Sequence, residues 1–346
     1  MPKIRAFSEF NNIFIENFYM KKILGIGNAL VDVMTMIPGD HVLGEFGLPK
    51  GSMQLVDGAK SKAVKQGTKG FRQTLASGGS VANTIHGLAM MGSKAGYIGS
   101  VGEDETGVFF EQDMHKAGAE TYLIRRKTET GTAVALVSPD SERTFATHLG
   151  AAIELNADDL KKDFFKPYDI FYLEGYLITN KALVEKACVL ARDNNMEIAI
   201  DLSSYNVVEA FLPEFRKIIG KYVDIVFANE EEAKAFTGLA PFEALGELGK
   251  ICKIAVVKAG KEGSLIKRGE EIVKVGSLDV KCVDTTGAGD LYAAGFLYGY
   301  ANDLPLDKCG LTGSILAGNV IQGIGARIPE KKWLSIKKAI ARETGD

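Results

Sequence analysis

Residues 284–290 read Asp-Thr-Thr-Gly-Ala-Gly-Asp, a glycine-rich turn leading straight into the small-residue run LYAAGFLYGY. Val280 and Cys282 before it alternate as a strand would. A strand, a glycine turn and a helix start together gather free backbone N–H groups, and the helix dipole adds partial positive charge there. Such a place binds an anion, yet the turn also carries an acid, Asp290. A site that only grips phosphate gains nothing from a second negative charge. A phosphoryl-transfer site does, because the N–H groups stabilise the transferring group while the carboxylate accepts the proton of the attacking hydroxyl. A glycine turn with an aspartate cap accounts for the residues singly but not for their order.

A second cluster, GGSVAN at 78–83, precedes an apolar helical run over 84–91. Its glycines let the backbone approach a ligand, and Asn83 presents both a donor and an acceptor, which suits a polyhydroxylated substrate. A tight helix entry is the plainer alternative. Asn229 and Glu232 stand three apart at a helix start, where they would share a face. They fit either the hydration shell of Mg²⁺ or an N-cap with its capping-box glutamate, and the two can coexist. Lys258-Ala259-Gly260-Lys261-Glu262-Gly263 follows a buried run and fits a nucleotide-phosphate cradle or a hairpin turn. GIGNAL near the start resembles a dinucleotide fingerprint but has Leu30 at the third glycine position, and no G-x-x-x-x-G-K-[ST] occurs in the chain. A nicotinamide dehydrogenase and a P-loop enzyme are thereby set aside.

These residues need a frame that brings them together. Strand-like runs at 95–101, 169–173, 197–200, 223–228 and 253–257 alternate with helical periodicity at 106–117, 181–194, 207–219 and 230–236. That alternation predicts an α/β fold: a mainly parallel sheet in a Rossmann-like, three-layer αβα arrangement, with ligands beyond the carboxyl ends of the strands. Asp201, Asn229, Gly260 and Asp284 all fall at those ends. Residues 32–57 and 122–149 break the pattern, being β-rich without convincing helices, and TAVALVS, Pro139-Asp140-Ser141 and RTFATH read as a hairpin. Two such insertions meet most simply as a small β lid that keeps water from the phosphoryl donor. The expected division is an N-terminal extension at 1–20, a core at 21–32, 58–120 and 150–346, and a lid at 33–57 and 121–149.

Composition narrows the class further. With 346 residues, 46% of them hydrophobic, and a net charge of −3, the chain suits a large globular domain and gives no reason to expect nucleic acid or an acidic membrane as partner. Four cysteines without a C-x-x-C pair point to free thiols in a reducing, cytoplasmic setting, and four scattered histidines offer no metal motif. No apolar run approaches the eighteen or so residues of a membrane span. Glu9 and Glu16 make the first nineteen residues a poor signal peptide, and Met20 resembles a second start, so this segment reads as a dispensable extension.

In this order the pieces resemble the ribokinase-like (PfkB) family of carbohydrate and nucleoside kinases over nearly all of residues 21–329. GGSVAN resembles its first signature and DTTGAGD its second. The resemblance implies ATP-dependent phosphorylation of a hydroxymethyl group, with Asp290 as base, Gly287, Ala288 and Gly289 as anion hole, and Asn229 and Glu232 acting on Mg²⁺ through water. Lys258, Gly260, Gly263 and Thr285 would face ATP, and K⁺ is compatible with such a site.

Within the family the chain is most similar to adenosine kinases, which implies transfer to a nucleoside 5′-hydroxyl, adenosine giving AMP. Asp32 in GNALVDV, with Gly79 and Asn83, would hold the ribose. Arg143 on the lid would close near the phosphates, with Phe145 and Leu149 flanking the purine. Ser80 stands where ribokinases carry lysine, which disfavours free ribose. A sugar kinase acting on fructose, ribose or a related sugar is the alternative, and lid edges of this kind suit a homodimer.

Overall fold

The structure is a computed structural model, and it describes residues 20–140 and 142–345. The expected extension therefore lies outside the described residues, apart from Met20. The strands of the first half are β1 (Ile23–Ile26), β2 (Leu30–Met36), β3 (Met53–Leu55), β4 (Gln73–Gly78), β5 (Ala95–Gly102), β6 (Glu120–Arg126), β7 (Thr130–Val137) and β8 (Arg143–Gly150). Those of the second half are β9 (Ile170–Glu174), β10 (Glu197–Asp201), β11 (Ile225–Asn229), β12 (Ile254–Lys258), β13 (Ser264–Arg268) and β14 (Glu271–Val275).

Nine strands form one sheet in the order β14-β13-β12-β11-β10-β9-β1-β5-β6, parallel except for the β12–β13–β14 hairpins. Its central strands, such as IFYLE and IAVVK, are apolar almost throughout because helices cover both faces. Successive side chains point to opposite faces. Ile23, Ala199, Ile225 and Ile254 enter one core, with the helices Ser80–Met91, Ala288–Ala301 and Leu306–Val320. Leu24, Ile198, Ile200 and Val226 enter the other, with Lys181–Asp193, Leu212–Tyr222 and Glu230–Thr237. Each fully buried Ile, Leu or Phe contributes roughly 1.5–3 kcal/mol, so the strand ends that carry the site are held by the deepest packing in the chain.

The second sheet has the order β3-β8-β7-β2-β4, with β7 and β8 forming the expected hairpin. Its boundaries differ from those expected. Residues of β6, placed in the lid by the sequence, pair with β5 in the large sheet, whereas β4, placed in the core, pairs with β2 in the small one. Alternation marks a half-buried strand in either sheet, and the pairing partner alone decides which. The 33–57 stretch also holds a short helix, His41–Glu45.

Two other expectations fail for local reasons. The helix predicted over 207–219 is two helices, Tyr205–Ala210 and Leu212–Tyr222, because Pro213 has no N–H to continue the first helix and sits instead in the first turn of the second, with the break at Phe211. Residues 276–283 are not a strand. They follow edge strand β14 and find no further strand to pair with, so Val280 and Cys282 line a cavity wall instead.

Candidate active site

Parallel register sets the polar ends of neighbouring strands in a row. Asn229 of β11 lies opposite Lys258 of β12, and Asp201 of β10 lies opposite Phe227 of β11. Lys258 Nζ donates to Asp201 Oδ2 at 2.8 Å, and both side chains are nearly buried. Across from this row, Gly287 caps the helix Ala288–Ala301 in the left-handed region, at φ +75°. A Cβ on Gly287 would stand 2.5 Å from that of Ala326. The turn thus needs glycine twice over, for its backbone and for its neighbour. Gly287→Ala is expected to lower both the melting temperature and turnover, the latter at least about tenfold, since left-handed backbone alone costs roughly 1–2 kcal/mol. Thermal melts beside a kinase assay check this, and an unchanged turnover would show that the turn does not shape the site. A Cβ at Gly289 would lie 3.1 Å from Lys258 Nζ, so that ammonium rests against the first turn of the helix.

Asp290 follows in the same turn and meets the second glycine cluster. Ser80 Oγ donates to Asp290 Oδ1, and Asn83 Nδ2 donates to Oδ2, each at 2.8 Å. Both donors sit in the first turn of Ser80–Met91, which Gly79 enters at φ +99°, packed on the Asn28 carbonyl so closely that no side chain would fit. Burial pushes the Asp290 carboxyl up to about 6, against the downward pull of those two hydrogen bonds. Asn83, foreseen as a sugar ligand, is here committed to Asp290 by its donor end.

The small sheet faces this row from above. Asp32 of β2 shares with Leu30 and Met34 the face opposite the core, and its carboxyl is pushed up to about 6, mainly by burial. Arg143 of β8 forms an ion pair with Asp284 and donates to Thr286 Oγ1 at 3.3 Å, so the lid rests on the glycine turn itself. Phe145 lines the cavity, but Leu149 does not. A step of four residues along the strand separates them, about 13 Å, too far for both to flank one ring.

Between the sheets lies a cavity of about 1120 Å³. Asp32, Gly79, Ser80, Asn83 and Phe145 line it on the lid side, while Lys258, Gly260, Gly263, Thr285, Ala288 and Gly289 line it on the side of the strand ends. Lys258–Gly263 is a β12–β13 hairpin whose turn borders the cavity. Asn229 and Glu232 form a complete capping box, and both line the cavity. The Glu232 carboxyl is pushed up to about 7, first by burial and then by Asp201. No group of three or more metal-ligating side chains occurs among the described residues. An ion there would have to be held through water and phosphate, as Mg²⁺ commonly is.

Some residues at or beside the cavity escaped the sequence reading. Asp201 was singled out only as a strand end, yet it pairs with Lys258. Tyr176 reaches the cavity from the turn after β9, its hydroxyl donating to the Ser203 carbonyl. Glu174, fully buried, accepts from the backbone N–H of Asn28 and Val81 and so ties the first strand's loop to the second glycine cluster. Nothing local in the sequence marks Tyr176 or Glu174, because both act across strands that only the sheet brings together.

Comparison with known proteins fits this geometry. Residues 53–333 match the model of the pfkB family of carbohydrate kinases. A solved adenosine kinase from Sinorhizobium meliloti superposes with a TM-score of 0.82 at 36% identity, covering 94% of this chain and 99% of that one. A probable sugar kinase from Rhizobium etli superposes with a TM-score of 0.83 at 34% identity, with the same coverage. An uncharacterised sugar kinase from Archaeoglobus fulgidus is 32% identical over 253 residues, 70% of this chain and 96% of its own length. Among the described residues no helix is long and apolar enough to cross a membrane. The family match runs from the lid strand β3 to the start of the final helix and takes in both glycine clusters, and on that ground the chain belongs to the pfkB family of carbohydrate kinases.

Proposed function

We propose that the protein transfers the γ-phosphoryl group of ATP to the 5′-hydroxyl of a nucleoside, with adenosine as the preferred acceptor and AMP as the product. The observation that carries this reading is Asp290, held by two donors at the start of a helix and facing the cavity. The acceptor's oxygen attacks phosphorus, the bond from the γ-phosphorus to the bridging oxygen of ADP breaks, and the hydroxyl proton passes to Asp290. The Ala288 N–H donates to the Thr285 carbonyl, which leaves the N–H groups of Gly287 and Gly289, with the Lys258 ammonium, to meet the charge that spreads over the transferring group. Mg²⁺, when bound with ATP, would neutralise phosphate charge, and Asn229 and Glu232 would hold its waters. Each Glu232 oxygen takes one hydrogen bond from Asn229 and keeps lone-pair capacity for water.

Two features of the acceptor side support a nucleoside. Phe145 and Tyr176 both offer rings to the cavity, more aromatic surface than a free sugar can use. The cations near that side are engaged: Arg143 with Asp284, and Arg327 with Asn83 and Ser77. Neither is left to grip a phosphorylated sugar. The sugar-kinase names of two relatives favour a free sugar as the second reading.

The raised carboxyl of Asp290 sets a pH expectation. A proton acceptor works only when ionised, so kcat should be level above about pH 6 and fall about tenfold per unit below it. A profile of kcat from pH 4.5 to 8 at saturating substrates checks this. Flat activity down to pH 5 would count against an acid of this pKa in the rate-limiting step.

A further inference from the structure

One charged residue close to Asp290 has no part in the reaction so far. Arg327 lies in the loop after the helix Leu306–Val320 and does not line the cavity. Its Nη1 donates to Asn83 Oδ1 at 2.7 Å, and its Nη2 donates to the Ser77 carbonyl and, at 2.6 Å, to Ser77 Oγ. Ser77 N and Oγ in turn donate to Asp113 Oδ2 at 2.9 and 2.7 Å, so the guanidinium is anchored through Ser77 to the helix Glu105–Ala117.

A guanidinium can only donate, whereas a primary amide has one accepting and one donating end. Arg327 therefore decides which way round the Asn83 amide lies: the oxygen must face the guanidinium, and the NH₂ must face Asp290. Turned over, the amide would set NH₂ against a guanidinium and an oxygen against a carboxylate, two repulsive pairs in place of two hydrogen bonds. Asn83 is 5% exposed, so water cannot relieve that arrangement.

We propose that Arg327 is a positioning residue for phosphoryl transfer, which acts by fixing the Asn83 amide so that its NH₂ keeps Asp290 an ionised proton acceptor. The proposal rests on the reading of Asp290 as the base. Other titratable groups surround the pair. Asp32, Asp113 and His86 lie near Arg327, while Asp201, Lys258, Glu174 and Glu232 lie near Asp290. The test must therefore separate an effect carried by Asn83 from a plain effect of charge.

The acid limb of the kcat profile, at saturating ATP and acceptor, does so in two backgrounds. Arg327→Met is expected to move the limb upward by about one pH unit, and so to lower kcat about twofold at pH 7 and about tenfold at pH 5, and to leave the KM for ATP within threefold. In an Asn83→Ala background the same change should move the limb by less than about 0.3 units, because the residue it acts through is gone. An unmoved limb in the first background, or an equal shift in both, overturns the proposal. Should Arg327→Met not fold, Arg327→Gln serves, since an uncharged amide can still donate to Asn83 Oδ1. The limb should then stay within about 0.3 units of the parent, and a full-unit shift would show that charge rather than orientation matters. A parent limb that survives in Asp290→Asn would remove the base itself and both readings with it. An Asp290-dependent limb that ignores Arg327 removes only this one.

Discussion

Asp290→Asn is expected to lower turnover by roughly two to four orders of magnitude while the protein stays folded. An amide cannot take the proton of the attacking hydroxyl, so what remains is the contribution of the helix start, Lys258 and substrate positioning. Substrate affinities should change little, because Asp290 is held by Ser80 and Asn83 rather than left free to bind. The stability argument has a definite sign. The folded-state pKa of about 6 lies above the ordinary value of 3.8, so the folded state binds the proton more tightly than the unfolded one. The stability that Asp290 contributes is fully present below pH 3.8 and is lost as pH rises through 6. At neutral pH its charge is thus a burden, and asparagine removes it. Asparagine can also keep both contacts, its oxygen accepting from Asn83 Nδ2 and its NH₂ donating to Ser80 Oγ, so the melting temperature should stay within a few degrees of the parent. Turnover within threefold of the parent would remove Asp290 from the mechanism. A large fall in melting temperature would instead mark it as a structural cap.

That prediction was reachable from seven consecutive residues, and the reason is physical. A helix-start anion site is a local object, built by one turn, so its chemistry is legible wherever the turn is. The row of strand ends was legible too, because parallel strands followed by helices fix where ligands go, and Asp201 and Asn229 stand there. Contacts between sheets were not. Tyr176 and Arg327 depend on which segments end up side by side, and no spacing along the chain encodes that. Residues 121–126 show the same limit, since the run that alternates like a lid strand pairs with β5. Leu149 shows it in another way: it matches a lid pattern by order, yet strand geometry carries it past the cavity.

Adenosine should exceed ribose and fructose in kcat/KM by at least about a hundredfold. Burying a purine between Phe145 and Tyr176 removes on the order of 100 Å² of apolar surface from water, worth about 2.5–3 kcal/mol, and a hundredfold preference needs about 2.7. Phe145→Ala should accordingly raise the KM for adenosine about tenfold and that for ATP less than threefold, because the ring lines the lid side of the cavity, where the proposed acceptor would sit. Asp32→Ala should weaken every acceptor that bears a vicinal diol, whatever its base, since an ionised carboxylate there can accept from both hydroxyls. The two variants thus divide the acceptor into base and sugar. Phosphoryl transfer from labelled ATP to adenosine, inosine, ribose and fructose, run side by side, decides the matter. Should a free sugar win, Phe145→Ala would leave its KM almost unchanged, and the nucleoside reading would fall while the kinase assignment stood. Should adenosine win but Phe145→Ala leave its KM untouched, the purine lies elsewhere, and the apolar wall of Leu278, Val280, Ala317 and Ile321 is the next surface to alter.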